Sequence, residues 1–174
     1  TVALSGLGGD EVFAGYSTFM SYYKMVKQGY LWKIPRPIRS GMASFSNLLL
    51  KSHQRSRVME IAGADSTDVE NIFPAFRRIL TQKEIGYTTN GSGNSADWVK
   101  NILTSQPGIH ELPVFSQISV ADISTYTQNI LLRDSDQMSM AVGLELRVPF
   151  FDYQLVEYVM QIPDQIKYPT YAKK

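Results

Sequence analysis

The chain reads as mainly α-helical, with one or a few short strands. Three observations predict this. Apolar residues recur at three- and four-residue spacing along most of its length. Glycine and proline divide that length into segments of helix size. One extended run, Thr1-Val2-Ala3-Leu4, stands at the front and breaks at once into the acidic, glycine-rich turn Ser5-Gly6-Leu7-Gly8-Gly9-Asp10-Glu11.

Residues 12 to about 28 then predict a single helix, with Phe13, Tyr16, Met20, Tyr23 and Val26 inward and Gly29 closing it. Ile34-Pro35-Arg36-Pro37 interrupts the chain and suits a helix start. Helix resumes over residues 38–51 and 54–62, the second ended by Gly63. Asp65 or Ser66 caps the next, with Val69, Ile72, Phe73 and Phe76 inward, and Pro74 kinks it or starts a new one. Thr81-Gln82-Lys83-Glu84 has the form of a capping box. Residues 88–95 are polar and glycine-rich and predict a surface loop. A short helix follows over residues 96–105. The longest pattern runs from Pro113 to Gly143. Glu145 to Phe150 is extended, because Pro149 disfavours helix before it. Asp152 caps a last helix that Pro163 stops. There is no internal repeat.

The turn carries the first chemical signal. Gly6, Gly8 and Gly9 permit positive φ and close approach of a ligand to the backbone. A helix N-terminus offers unsatisfied N–H groups and partial positive charge, which attract anions. Two carboxylates, Asp10 and Glu11, would repel a bare phosphate but suit one accompanied by Mg²⁺, which takes carboxylate and phosphate oxygens together. The competing reading is that both simply cap a helix. Ser5 has no base partner in the pattern and is expected to hydrogen-bond within the turn.

Composition sets bounds. A length of 174 residues suits one domain or a piece of one, and 44% hydrophobic residues suffice for a core. A net charge of +1 argues against a broad nucleic-acid surface. With no cysteine, disulfides, thiolate metal sites and a Cys nucleophile are excluded. There is no signal peptide and no apolar run of membrane-spanning length, so a cytoplasmic protein is the default expectation, with no membrane partner. The chain lacks an initiator Met and begins inside a strand, so residues 1–174 are expected to be one partial domain excised from a longer protein.

A second cluster lies near the end: Arg133, Asp134, Asp136, Glu145, Arg147 and Asp152, set among apolar residues and therefore expected to be partly buried and paired. Arg133 and Asp136 share a helix face. Glu145 and Arg147, two apart in an extended stretch, share a strand face. For Glu145, Arg147 and Asp152 a structural network is the favoured reading; for the others a structural and a binding role stay open. His53 and His110 lack metal-ligand spacing. The basic residues from Lys33 to Arg39 predict a solvated face, and Met20, Met25, Met42 and Met59 predict core.

Together these clusters are far more specific than either alone. Leu4-Ser5-Gly6-Leu7-Gly8-Gly9-Asp10-Glu11-Val12-Phe13-Ala14-Gly15-Tyr16, then Leu132-Arg133-Asp134-Ser135-Asp136-Gln137-Met138-Ser139-Met140-Ala141 and Leu144-Glu145-Leu146-Arg147-Val148-Pro149-Phe150-Phe151-Asp152, resemble in order and spacing the synthetase domain of glutamine-hydrolysing asparagine synthetases. The resemblance implies the C-terminal portion of an α/β adenine-nucleotide α-hydrolase-like (PP-loop ATPase) domain. It implies ATP and Mg²⁺, a carboxylic-acid acceptor adenylated by ATP, and ammonia delivered from glutamine by a separate glutaminase domain. By the same likeness Ser5, Gly6, Gly8, Gly9, Glu11 and Asp136 face substrate or nucleotide, Asp10 binds Mg²⁺ with pyrophosphate, and Lys173 stabilises charge developing in the transition state. A homodimer is left open. Two departures stand out. The S-G-G-x-D-S pyrophosphate loop and the glutaminase Cys are absent from these residues. Leu7 also stands where many members carry an acidic residue that serves as a base near the intermediate, which leaves the acceptor open: aspartate or a related acid, or something other than aspartate such as a sugar acid or a secondary-metabolite precursor. The alternative from a different class is a non-catalytic helical interaction module.

Overall fold

The structure, a computed structural model, describes residues 1–46, 52–77, 86–88 and 98–168. The chain divides into two compact units. One comprises Thr1–Tyr23 and Gln106–Lys174, the other Lys24–Ser105.

In the first unit, β1 (Val2–Leu4) leads through the glycine turn into a five-residue helix, α1 (Gly9–Phe13). The single helix expected from residue 12 onward is overturned. Ala14 takes a left-handed conformation (φ 58°), and the N–H of Gly15 closes on the Asp10 carbonyl at 2.9 Å. The chain then restarts as α2 (Ser17–Lys27). The break resets the helical phase, so Phe19, Met20 and Tyr22 are buried, while Phe13 is 45% exposed.

The long pattern after Pro113 is continuous but not uniform: α7 (Val114–Asp122), a π-helical stretch (Ile123–Leu131) and α8 (Leu132–Met140). The wide stretch is rich in residues whose side chains compete for backbone carbonyls. Thr125 Oγ1 donates to the Ala121 carbonyl at 2.6 Å, and Asn129 Nδ2 donates to that of Thr125 at 2.7 Å. Gly143 (φ 68°) then turns the chain into β2 (Glu145–Arg147). β2 lies parallel to β1, with Val2 opposite Glu145, Ala3 opposite Leu146 and Leu4 opposite Arg147. The few short strands expected are thus two, and the partner of the front strand comes from the extended stretch before Pro149. α9 (Tyr153–Gln161) is capped as expected, the Asp152 carboxylate accepting from Gln154 N at 3.0 Å and Leu155 N at 3.2 Å. A further turn of helix, α10 (Asp164–Lys167), is too short to leave a periodic signal. Around Val12, Val159 and Met160 pack Val120, Ile123, Phe151, Leu155, Val156 and Ile162, so α1, α7 and α9 share one core.

The second unit is helical among its described residues: α3 (Arg36–Ser46), α4 (Ser52–Ala62), α5 (Val69–Arg77) and α6 (Trp98–Thr104). Val69, Ile72, Phe73 and Leu103 are its fully buried side chains, and Pro74 lies inside α5. Two expectations fail here. Arg39 is half-buried rather than solvated. Its guanidinium donates to the carbonyls of Ala62 (2.7 Å) and Ala64 and stacks over Trp32 at 5.0 Å, closing the C-terminal end of α4. Met42 is 60% exposed, so it is not core. The capping box at residues 81–84, the loop at residues 89–95 and the side chain of His53 lie outside the described residues.

Candidate functional site

Strand pairing brings the two sequence clusters together. The N–H of Ser5 bonds to the Arg147 carbonyl at 2.9 Å, so the glycine turn leaves the sheet where β2 ends. Gly6 to Gly9 reverse the chain, the Gly9 N–H returning to the Gly6 carbonyl at 3.2 Å. Gly8 takes φ +99°, and a Cβ there would lie 3.0 Å from both Phe150 Cβ and Phe151 Cε2. Glycine is thus required twice: by the backbone and by the two rings that follow β2. Phe13 and Phe150 meet edge-on at 6.1 Å across the same spot.

The N–H groups of the turn do not all point at one place. Ser5, Leu7, Gly8 and Gly9 each donate within the protein: to Arg147 O, Ser5 Oγ (3.2 Å), Glu11 Oε2 (3.1 Å) and Gly6 O respectively. The Gly6 N–H makes no hydrogen bond to a described residue, and the space around Gly6 Cα is open. Because Ser5 Oγ accepts from Leu7, its own hydroxyl proton is left to donate. Between Ser5 and Gly9 the turn therefore offers two donors, one backbone N–H and one hydroxyl.

The two carboxylates part company. Glu11, third residue of α1, is only 2% exposed. Its Oε2 accepts from Gly8 N and its Oε1 from the Tyr16 phenol at 2.7 Å. This is the half of a capping box that a glycine N-cap leaves available. Burial first, then the Glu11 hydrogen bond and the nearby carboxylates of Glu11, Asp10 and Asp122, hold the Tyr16 phenol above its ordinary range, so it stays a neutral donor. Asp10 is exposed, its carboxylate lying against Gly15, where any added Cβ would collide with it. Among the described residues no group of three His, Cys, Asp or Glu is placed to hold a metal. One outward carboxylate still suits Mg²⁺, which commonly binds through one or two carboxylates with phosphate and water completing the shell.

The second cluster is more open than expected. Glu145 and Arg147 do pair, at 2.8 Å, but their side chains are 55% and 64% exposed, so the pair contributes little to stability. Arg133, Asp134 and Asp136 are exposed on α8. α8 packs beside β2, and the side chain of Asp136 makes no hydrogen bond to the turn among the described residues. Lys173 lies outside the described residues. The role of Tyr16 was missed by sequence reasoning. Its signal was Glu11 three residues after Gly8, a spacing that predicts Glu11 facing back into the turn.

Comparison with known proteins decides the lineage: the family model described as asparagine synthase matches residues 1–174. The chain belongs to the asparagine synthase family. Its relatives include asparagine synthetase [glutamine-hydrolyzing] 1 of Bacillus subtilis, 25% identical over 170 residues, covering 96% of this chain and 26% of that protein. A putative asparagine synthetase [glutamine-hydrolyzing] of Mycobacterium tuberculosis is 26% identical over 175 residues, covering 93% of this chain and 24% of its own. A putative asparagine synthetase [glutamine-hydrolyzing] 2 of Methanocaldococcus jannaschii is 32% identical over 106 residues, covering 54% of this chain and 20% of its own. The chain thus spans about a quarter of the length of these asparagine synthetases. No solved structure matches it significantly. The described residues of the chain are mostly helical with one short two-stranded parallel sheet, and no helix among them is long and apolar enough to cross a membrane.

Proposed function

We propose that this chain forms one wall of the adenylating site of an ATP-dependent amidotransferase. In that reaction a carboxylate oxygen of the acceptor attacks the α-phosphorus of ATP, and pyrophosphate leaves. Ammonia released from glutamine by a separate domain then attacks the acyl carbon. The C–O bond breaks with its electron pair going to AMP, a proton is lost from nitrogen, and an amide remains. The observation that carries the reading is the family match over residues 1–174. The junction of the glycine turn with β2 supports it, because it sets the donors of one motif beside the other.

In this reading the Ser5 hydroxyl and the Gly6 N–H donate to an anionic group of the intermediate, and Gly8 and Gly9 let it approach the backbone. Asp10 holds Mg²⁺, which when bound offsets the negative charge of the departing pyrophosphate. Asp136 faces the nucleotide from α8. Glu11 acts from behind, bracing the turn. Lys173 stabilises charge developing in the transition state. The acceptor is aspartate or a related acid, and because Leu7 cannot take a proton its amidation draws on no base at that position.

The test is pyrophosphate release by the complete polypeptide with Mg-ATP and a panel of carboxylic acids. Asp10→Ala is expected to lower release by about a hundredfold or more while the circular dichroism spectrum stays unchanged. Unchanged release would refute the role of Asp10. For these 174 residues alone, calorimetry should find Mg-ATP binding no tighter than about 1 mM, since the pyrophosphate loop is absent from them.

A further inference from the structure

We propose that Tyr16 is a positioning residue for the glycine turn: acting through Glu11, its phenol holds the Gly8 N–H inward and so leaves the Gly6 N–H and the Ser5 hydroxyl as the donors on the outer face. The inference rests on the reading of that face as the one that meets the nucleotide intermediate.

The turn needs such a device. Three of the four residues from Gly6 to Gly9 are glycine, so peptide planes there can rotate between arrangements of similar energy. α1 is only five residues long, too short to impose a conformation on the loop before it. Something outside the local backbone must select one arrangement. Glu11 reaches back over one helical turn to take the Gly8 N–H at 3.1 Å. A buried carboxylate is held only if its oxygens are satisfied, and the second oxygen is satisfied by Tyr16 at 2.7 Å. Tyr16 lies beyond the left-handed cap at Ala14, so the relay joins the residue before α1 to one three positions past its end. The Tyr16 ring is itself fixed edge-on against Phe19 of α2, 5.5 Å away. The path is therefore Phe19 to Tyr16 to Glu11 to Gly8, a chain of contacts from the buried face of α2 to the orientation of one peptide.

A phenol suits this position for a stated reason. A lysine or arginine would satisfy Glu11 equally well but would add a cation behind the turn, drawing an anionic ligand past Gly6. The phenol satisfies the carboxylate and stays neutral, burial and the neighbouring carboxylates opposing its ionisation.

The experiment is amide NMR on the ¹⁵N-labelled chain. In Tyr16→Phe the Gly8 amide is expected to shift and to exchange with solvent about tenfold faster or more. The amides of Ser5 and Glu145, which hold β1 to β2, stay in place. Glu11→Gln should keep the Gly8 signal near its original position, since a carboxamide oxygen can accept from Gly8 while its NH₂ donates to the phenol oxygen. A Gly8 amide unmoved in Tyr16→Phe overturns the proposal, as does an equal response at Ser5 and Glu145, which would mean general loosening. In the complete polypeptide, Tyr16→Phe is expected to raise KM for ATP in pyrophosphate exchange by about tenfold, with a smaller effect on kcat. A loss confined to kcat overturns it. If the unmodified polypeptide exchanges no pyrophosphate, the nucleotide reading falls, while the Gly8 amide still decides the relay.

Discussion

Replacing Gly8 by alanine tests why the turn has its shape. Two costs follow from the coordinates. Gly8 has φ +99° and ψ −21°, a region where an L-residue is strained by about 1–2 kcal/mol. The new Cβ would also lie 3.0 Å from Phe150 Cβ, an atom tied directly to the backbone of the turn after β2, and 3.0–3.1 Å from the Phe151 ring. Relief requires that turn to move, and forced overpacking of this kind costs about 1–3 kcal/mol. The sum is about 2–5 kcal/mol. With a urea m-value of about 2 kcal/mol/M, the unfolding midpoint should fall by about 1–2.5 M at unchanged m. Gly6→Ala is the control. Its φ is not positive and no atom lies within 4 Å of the added methyl, so its effect should stay within about 0.5 kcal/mol. Equal effects from the two substitutions would refute the argument, because the turn would then be sensitive to any side chain and the Phe150–Phe151 contact would not matter.

The remaining predictions concern pH and capping. The Tyr16 phenol is held above its ordinary value, so its contribution is full below about pH 10 and declines at higher pH, where the unfolded chain ionises first. Tyr16→Phe should flatten that decline in a stability–pH profile; an unaltered slope would count against the buried environment described for the ring. Lys167 behaves oppositely. Burial lowers its pKa from 10.5 to about 8 although Asp164 raises it, so the native state releases a proton before the unfolded chain does. Stability should therefore rise between about pH 8 and 10.5, and Lys167→Met should abolish the rise. Asp152→Ala removes the acceptor for the Gln154 and Leu155 N–H groups and should cost about 1 kcal/mol in urea unfolding, with Asp152→Asn recovering most of it; identical losses in both would show that the carboxylate does more than cap α9.

Much of the local structure was legible. Asp152 as a cap, Gly63 after α4, the extended stretch before Pro149 and the Glu145–Arg147 pair each follow from rules linking residues a few positions apart, and each is present. The misses share a cause. The helix expected through Ala14 failed because alanine is an excellent helix former, and nothing local announces that it will adopt φ 58°. Arg39 was read as solvated because the carbonyls that it clamps, at Ala62 and Ala64, lie more than twenty residues away. The second cluster was read as partly buried because its neighbours are apolar, yet Met138 and Met140 are themselves exposed at 75% and 56%. Apolar flanks imply burial only where a partner surface exists to cover them.

For the candidate site the division is sharper. The identity of the chemical groups and the order of the two motifs were set by the amino-acid sequence alone, and with them the family. Which groups face outward was decided only in three dimensions. Asp10 and Glu11 are adjacent acidic residues at one helix start, equivalent by any local rule. One is buried between Gly8 and Tyr16 while the other stays exposed beside Gly15, because the fold supplies Glu11 with two donors and a dry environment. Local chemistry travels along the covalent chain and can be read from it. The satisfaction of a buried charge depends on atoms brought together through space, and only packing determines which those are.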